Sequence, residues 1–204
     1  MIYLWQTPSE FFECEEVDDL ERYVGLYNSQ KGPDCALLNG GSMEPALWSC
    51  TKADLEFEFE VSKLELQEYD VTSVTARFIV VNQRVRNVLE KFAKDDLQFI
   101  PVTMICNDGT LDGYYAVNIL SRVKGIDKQK STIEWSTSDP AYIQGFGVGV
   151  GGLVYRPGCL GNHHIAREEE FVFVLVSQEL KDALCSLSPP IKGVTFAVPE
   201  ERYW

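Results

Sequence analysis

The chain has 204 residues, 45% hydrophobic and 24% charged, enough to bury one sizeable core without help from disulfides or metal. Thirty-one acidic residues against 18 basic give a formal charge of -13, so the mean surface repels phosphate polymers and anionic lipid, which argues against nucleic-acid binding. No uninterrupted apolar run approaches the ~20 residues of a membrane span.

The opening stretch, Met1 to Pro8, lacks the basic start of a signal peptide. Six cysteines at 14, 35, 50, 106, 159 and 185 show no paired spacing, and they read as reduced, at least partly buried thiols of a cytoplasmic protein. The expected organisation is a single domain over 1–204, with an acidic segment, 1–75, ahead of a repeat-containing region, 76–204.

Between Ser9 and Tyr27, Val17, Leu20, Tyr23, Val24 and Tyr27 recur at three- and four-residue steps and predict one apolar helix face, with Asp18, Asp19 and their neighbouring glutamates toward water. Residues 31–53 carry turn chemistry and predict loop. Leu55 to Val61 alternates strictly, which predicts a strand with Phe57 and Phe59 inward and a ladder of Glu56, Glu58 and Glu60 outward. Three like charges at every second residue repel, so such a ladder needs full solvation or a cationic partner.

An internal repeat follows. Phe78 to Leu89 lies against Phe173 to Leu184 at a constant offset of 95 residues, matching Phe78 to Phe173, Gln83 to Gln178 and Leu89 to Leu184. Asn82 and Ser177 stand where helix N-caps belong. Val85, Val88, Leu89 and Phe92 in the first copy, and Leu180, Ala183, Leu184 and Leu187 in the second, form the inward helix faces. Leu97 to Pro101 and Val194 to Pro199 supply a further extended piece after each helix.

The expected fold is therefore α+β, a mixed sheet with a duplicated strand-helix-strand unit at about 78–101 and 173–199. A glycine-rich β region lies between the copies. Gly113 to Leu120 fits a buried strand or a helix start, and 133–156 predicts short strands and tight bends.

Chemical motifs are sparse. Gly147-Val-Gly149-Val-Gly151-Gly152 contains G-x-G-x-x-G, but the following Leu153 to Gly158 is a poor helix opening, so a glycine-rich strand or turn is the expectation for 145–152. His163 and His164 are the only two histidines, with Cys159 nearby and no second ligand pair, so neither metal nor cofactor is expected. Glu168, Glu169 and Glu170 read as a solvated face.

Val81-Asn-Gln-Arg-Val-Arg-Asn-Val-Leu89, Phe99-Ile-Pro101, Tyr114-Tyr-Ala-Val-Asn-Ile-Leu120 and Val176-Ser-Gln-Glu-Leu-Lys-Asp-Ala-Leu184 together resemble a family of bacterial immunity proteins from polymorphic toxin systems, immunity protein family eleven. The resemblance covers roughly 76–199. It implies a non-enzymatic protein that binds and neutralises a cognate toxin, and it supplies no catalytic residues. A toxin with a basic cleft would be drawn to carboxylates, which points to Glu56, Glu58 and Glu60, or Asp18 and Asp19, as partner contacts. The alternative from another class is a small-substrate hydrolase with Trp135, Tyr142, Phe146 and Tyr155 lining a cleft and His163 or His164 as base.

Overall fold

The computed structural model describes residues 1–7, 55–59, 61–75, 78–138, 142–147, 151–171 and 173–199. The helix expected over 9–27 and the loop over 31–53 lie outside the described residues. In chain order the first elements are β1 (Ile2–Gln6), β2 (Leu55–Glu58), α1 (Lys63–Leu66), β3 (Val71–Thr75), β4 (Phe78–Asn82), α2 (Gln83–Ala93), β5 (Leu97–Cys106) and β6 (Gly109–Ile119). There follow β7 (Arg122–Val123), β8 (Ile133–Trp135), β9 (Ile143–Phe146), β10 (Ile165–Glu168), β11 (Val174–Ser177), α3 (Gln178–Cys185) and β12 (Thr195–Ala197).

Both long helices begin where the sequence supplies a cap. The Asn82 side-chain oxygen accepts from the backbone N–H groups of Arg84 and Val85, and Ser177 Oγ accepts from that of Leu180, satisfying donors that a first helical turn leaves unpaired.

The strands form two five-stranded sheets, ordered β12-β1-β11-β10-β7 and β2-β5-β6-β4-β3, and β8 with β9 makes a separate ribbon. Pairing is antiparallel except for β2 with β5 and β7 with β10, so the fold is α+β with mixed sheets. β6 lies between β4 and β5 and is antiparallel to both, while β1 stands in the same relation to β11 and β12. Each long helix thus links two strands of one sheet across an intervening antiparallel strand.

The two helices share one core with the inner faces of both sheets. Val85, Leu89 and Ala93 of α2 and Leu180 and Leu184 of α3 are buried there, against Ile79 and Val81 of β4, Val117 and Ile119 of β6, and Val174 and Val176 of β11. Val88, Phe92 and Leu187 pack at its margin, and Ala183 is half-buried. Fully burying each Val or Leu contributes roughly 1.5–3 kcal/mol, so these faces hold the sheets to the helix layer.

Period-two alternation sends the other side chains outward to two further clusters. Val80, Ile100, Met104, Tyr114 and Ala116 join Phe57, Phe59 and Leu66 on the far side of the second sheet. On the far side of the first, Leu4 and Leu175 meet Phe146, Leu153, Tyr155 and Leu160. Both faces of β6 are therefore covered, which is why the stretch from Gly113 to Ile119 is strand without polar alternation, ending one residue short of Leu120.

The glycine-rich stretch helps to cover the first sheet. β9 ends at Phe146, Gly151 takes a turn at φ +85°, and Leu153 is fully buried. No helix follows it among the described residues before α3, so the G-x-G-x-x-G pattern has no helix N-terminus with which to cradle a phosphate.

Candidate functional site

Among the described residues β2 is the terminal strand of its sheet, with the Glu56 backbone opposite Thr103 and the Glu58 backbone opposite Ile105. Phe57 and Phe59 are buried, so the strand has the phase its alternation predicts. Asp18, Asp19 and Glu60 lie outside the described residues, and the side chains of Glu56 and Glu58 do too.

The two histidines are anchored to different neighbours. His163 Nδ1 lies 2.7 Å from Asp96 Oδ1, in the turn between α2 and β5, and Ser121 Oγ donates to that same oxygen at 2.5 Å. His164 Nδ1 lies 2.9 Å from Ser177 Oγ, the α3 cap, and the ring meets Phe92 edge-on at 5.5 Å. Serine-type nucleophilic catalysis needs one imidazole between the hydroxyl and the carboxylate. Here the hydroxyl contacts one ring and the carboxylate the other, and Ser177 Oγ is buried and already accepts from Leu180 N–H.

Trp135, Tyr142, Phe146 and Tyr155 do not gather into one cleft. Phe146 and Tyr155 are buried in the core beneath the first sheet, whereas Trp135 and Tyr142 are exposed on the β8–β9 ribbon.

Two of the described thiols, Cys106 and Cys159, are poorly placed for nucleophilic work. Burial, with the charge of Glu168 beside it, pushes the Cys159 thiol above its ordinary value, and burial does the same to Cys106. Cys185 is exposed, contrary to the expectation of at least partial burial, because it falls on the outer side of the last turn of α3. No group of three or more His, Cys, Asp or Glu capable of holding a metal occurs among the described residues.

Glu168 overturns the expectation of a solvated acidic face. Glu169 is exposed, but β10 turns Glu168 inward, where its carboxylate accepts from Gly125 N–H at 2.8 Å. Only glycine fits at 125, since a Cβ there would lie 2.8 Å from Cys159 Sγ and 3.0 Å from Glu168 Oε2. Burial pushes the Glu168 carboxyl above its ordinary range, with the backbone N–H groups of Gly125 and Glu170 partly opposing it.

A carboxyl whose folded pKa is raised costs stability as pH climbs through the interval above the ordinary glutamate value. Glu168→Gln keeps an acceptor for Gly125 without the buried charge. Its urea midpoint is expected to exceed that of the native protein at neutral pH and to match it below about pH 4. A lower midpoint at neutral pH would mean that the charge itself is needed.

No local signal marks Asp96 or Glu168, because Asp96 meets Ser121 and His163, 25 and 67 residues away, and Glu168 meets Gly125, 43 residues away. Residues 37–200 match the Immunity protein family (Imm11). The chain belongs to that family. The match starts well before residue 76, where the resemblance in sequence was placed, and so takes in β2, α1 and β3. The two strands complete the second sheet, so the family's shared region includes all of it. No curated protein matches the chain. No helix among the described residues is long and apolar enough to cross a membrane.

Proposed function

We propose that this Imm11 chain binds and neutralises a cognate bacterial toxin in the cytoplasm, by occupancy and without catalysis. The observation that carries this reading is the family match over 37–200. A formal charge of -13 supports fast association with a toxin whose active cleft is basic, since long-range attraction raises the encounter rate.

The test is co-expression with the protein encoded beside it. The proposal expects the host to survive only when both are made, and a stoichiometric complex to elute on size exclusion. A harmless neighbour with no complex would overturn it.

The acidic ladder is proposed as the steering contact. Changing Glu56, Glu58 and Glu60 together to Lys should slow association by roughly tenfold or more at low salt, with the difference shrinking as salt screens it. Stopped-flow association rates unchanged by the triple variant would remove this face from the account, and Asp18 with Asp19 would be the next acids to reverse.

A further inference from the structure

The strand orders β5-β6-β4-β3 and β12-β1-β11-β10 correspond position by position, and every pairing within them is antiparallel. The correspondence is one of register. Val81 of β4 lies between Val71 of β3 and Tyr115 of β6, and Val176 of β11, 95 residues on, lies between Ile165 of β10 and Tyr3 of β1. Two residues after Tyr115, Val117 pairs with Phe99 of β5; two residues after Tyr3, Trp5 pairs with Phe196 of β12.

Polar contacts follow the same correspondence. The guanidinium carbon of Arg86 lies 4.2 Å from the Tyr115 ring centroid, and Lys181 Nζ, 95 residues on, lies 4.6 Å from that of Tyr3. Gln83 Nε2 donates to Asn87 Oδ1 at 2.7 Å, and Gln178 Nε2 to Asp182 Oδ1 at 2.8 Å. The Asn82 N–H donates to the Asp70 carbonyl and the Ser177 N–H to the His164 carbonyl, both at 2.9 Å, and the side chains of each pair also meet, at 2.8 and 2.9 Å. Burying a helix on a sheet requires apolar faces but fixes none of these polar pairs, so packing alone does not account for the agreement. Chain order is where the two differ. β6 follows β5 through a turn at Asn107 and Asp108, whereas β1, which lies beside β12 in the same way, comes first in the chain.

We infer that the chain is two copies of one unit, β3-β4-α2-β5-β6 and β10-β11-α3-β12-β1, and that Ile2–Gln6 is the last strand of the second copy, contributed from ahead of the first. Tyr3, Leu4 and Trp5 are buried, so the first sheet loses its centre without them, yet the Imm11 match over 37–200 does not reach them. The working protein therefore needs residues 1–7 in addition to the region its family shares. What holds β1 is pairing with β11 and β12 and not its place in the chain, so the strand serves equally well when it follows β12.

The first test moves the strand. Deleting residues 1–7 should abolish the cooperative urea transition, and placing Met1–Thr7 after Trp204 in that shortened chain should restore it with a midpoint within about 0.5 M of the native one, because loop-closure entropy changes only slowly with the length of the tether. The second test reads the shared geometry. His164→Asp, Ser177→Asn and Glu179→Arg copy Asp70, Asn82 and Arg84 into the second unit. Adding Glu179→Arg to the other two should raise the urea midpoint at both ~0.05 M and ~0.5 M salt, because a hydrogen-bonded clamp survives screening that removes a loose attraction. A native midpoint after the deletion overturns the inference, as does a moved strand that restores no transition, or the absence of any gain from Glu179→Arg at the higher salt. Each result is read on folding, so it stands apart from whether the chain binds a toxin.

Discussion

Gly193→Ala is expected to leave little folded protein. The residue lies in the loop from α3 to β12 at φ +88°, and an added Cβ would sit 1.8 Å from the Val71 carbonyl oxygen and 2.9 Å from its carbonyl carbon. Neither backbone can retreat easily. The Lys192 carbonyl accepts from the N–H groups of both Asp70 and Val71 at 3.1 Å, so the loop is fastened to the start of β3 beside the point of collision.

Relieving the clash means breaking those bonds, and a left-handed backbone adds its own strain for any residue with a Cβ. Together these cost at least about 4 kcal/mol, a large share of what a domain of this size has. Gly158→Ala is the control, because φ there is +70° but nothing lies within 4 Å of the added methyl. It should lose only about 1 kcal/mol. Urea midpoints measure both, and equal losses would show that the Val71 contact is not what excludes a side chain at 193.

Asp70→Ala is expected to cost about 3 kcal/mol above pH 5, because the carboxylate collects donors from two distant parts of the chain. Arg84 Nε and Nη2 donate at 3.1 and 2.5 Å, Asn82 Nδ2 at 2.8 Å and the Lys192 N–H at 2.9 Å. The loop of Lys192 belongs to the half of the chain built on β11 and α3, so Asp70 ties that half to the start of α2. Burial alone would push its pKa up, but the hydrogen bonds from Arg84, Lys192 and Asn82, with the charge of Arg84, outweigh burial and hold it below the ordinary value.

A lowered carboxyl pKa contributes stability that is complete above the unfolded value, about pH 4, and is lost as pH falls through the folded value. The gap between native and variant midpoints should accordingly stay constant from neutral pH to about pH 5 and narrow below pH 4. A gap that does not narrow would assign the loss to packing and not to the charge.

Gly193 and Asp70 act through partners that no local pattern reveals. The caps at Asn82 and Ser177 and the inward faces of α2 and α3 were legible because cap chemistry and a 3.6-residue period act within one turn of chain. Likewise Phe57 and Phe59 followed from strict alternation. Gly113 to Leu120 was ambiguous because β6 is covered on both faces, which erases the alternation that distinguishes a strand. Glu168 departs from the solvated face expected of it because three consecutive glutamates look alike in sequence, while β10 turns only one of them inward.

The candidate site divides in the same way. Net charge, composition and family resemblance need no coordinates, since they depend on which residues are present and in what order. The separation of Asp96 and Ser177 onto different histidines, the burial of Phe146 and Tyr155, and the exposure of Trp135 and Tyr142 required the fold. Sequence by itself determined what lies within a few residues of each position: the caps, the apolar faces of α2 and α3, and the -13 charge. Tertiary structure alone decided that β1 lies between β11 and β12, that Gly193 meets Val71, and that Asp70 gathers Arg84 and Lys192. The physical reason is contact range. Helix period, strand alternation and capping are energies between near neighbours, whereas a clash, a buried ion pair or a sheet order exists only once distant segments have met.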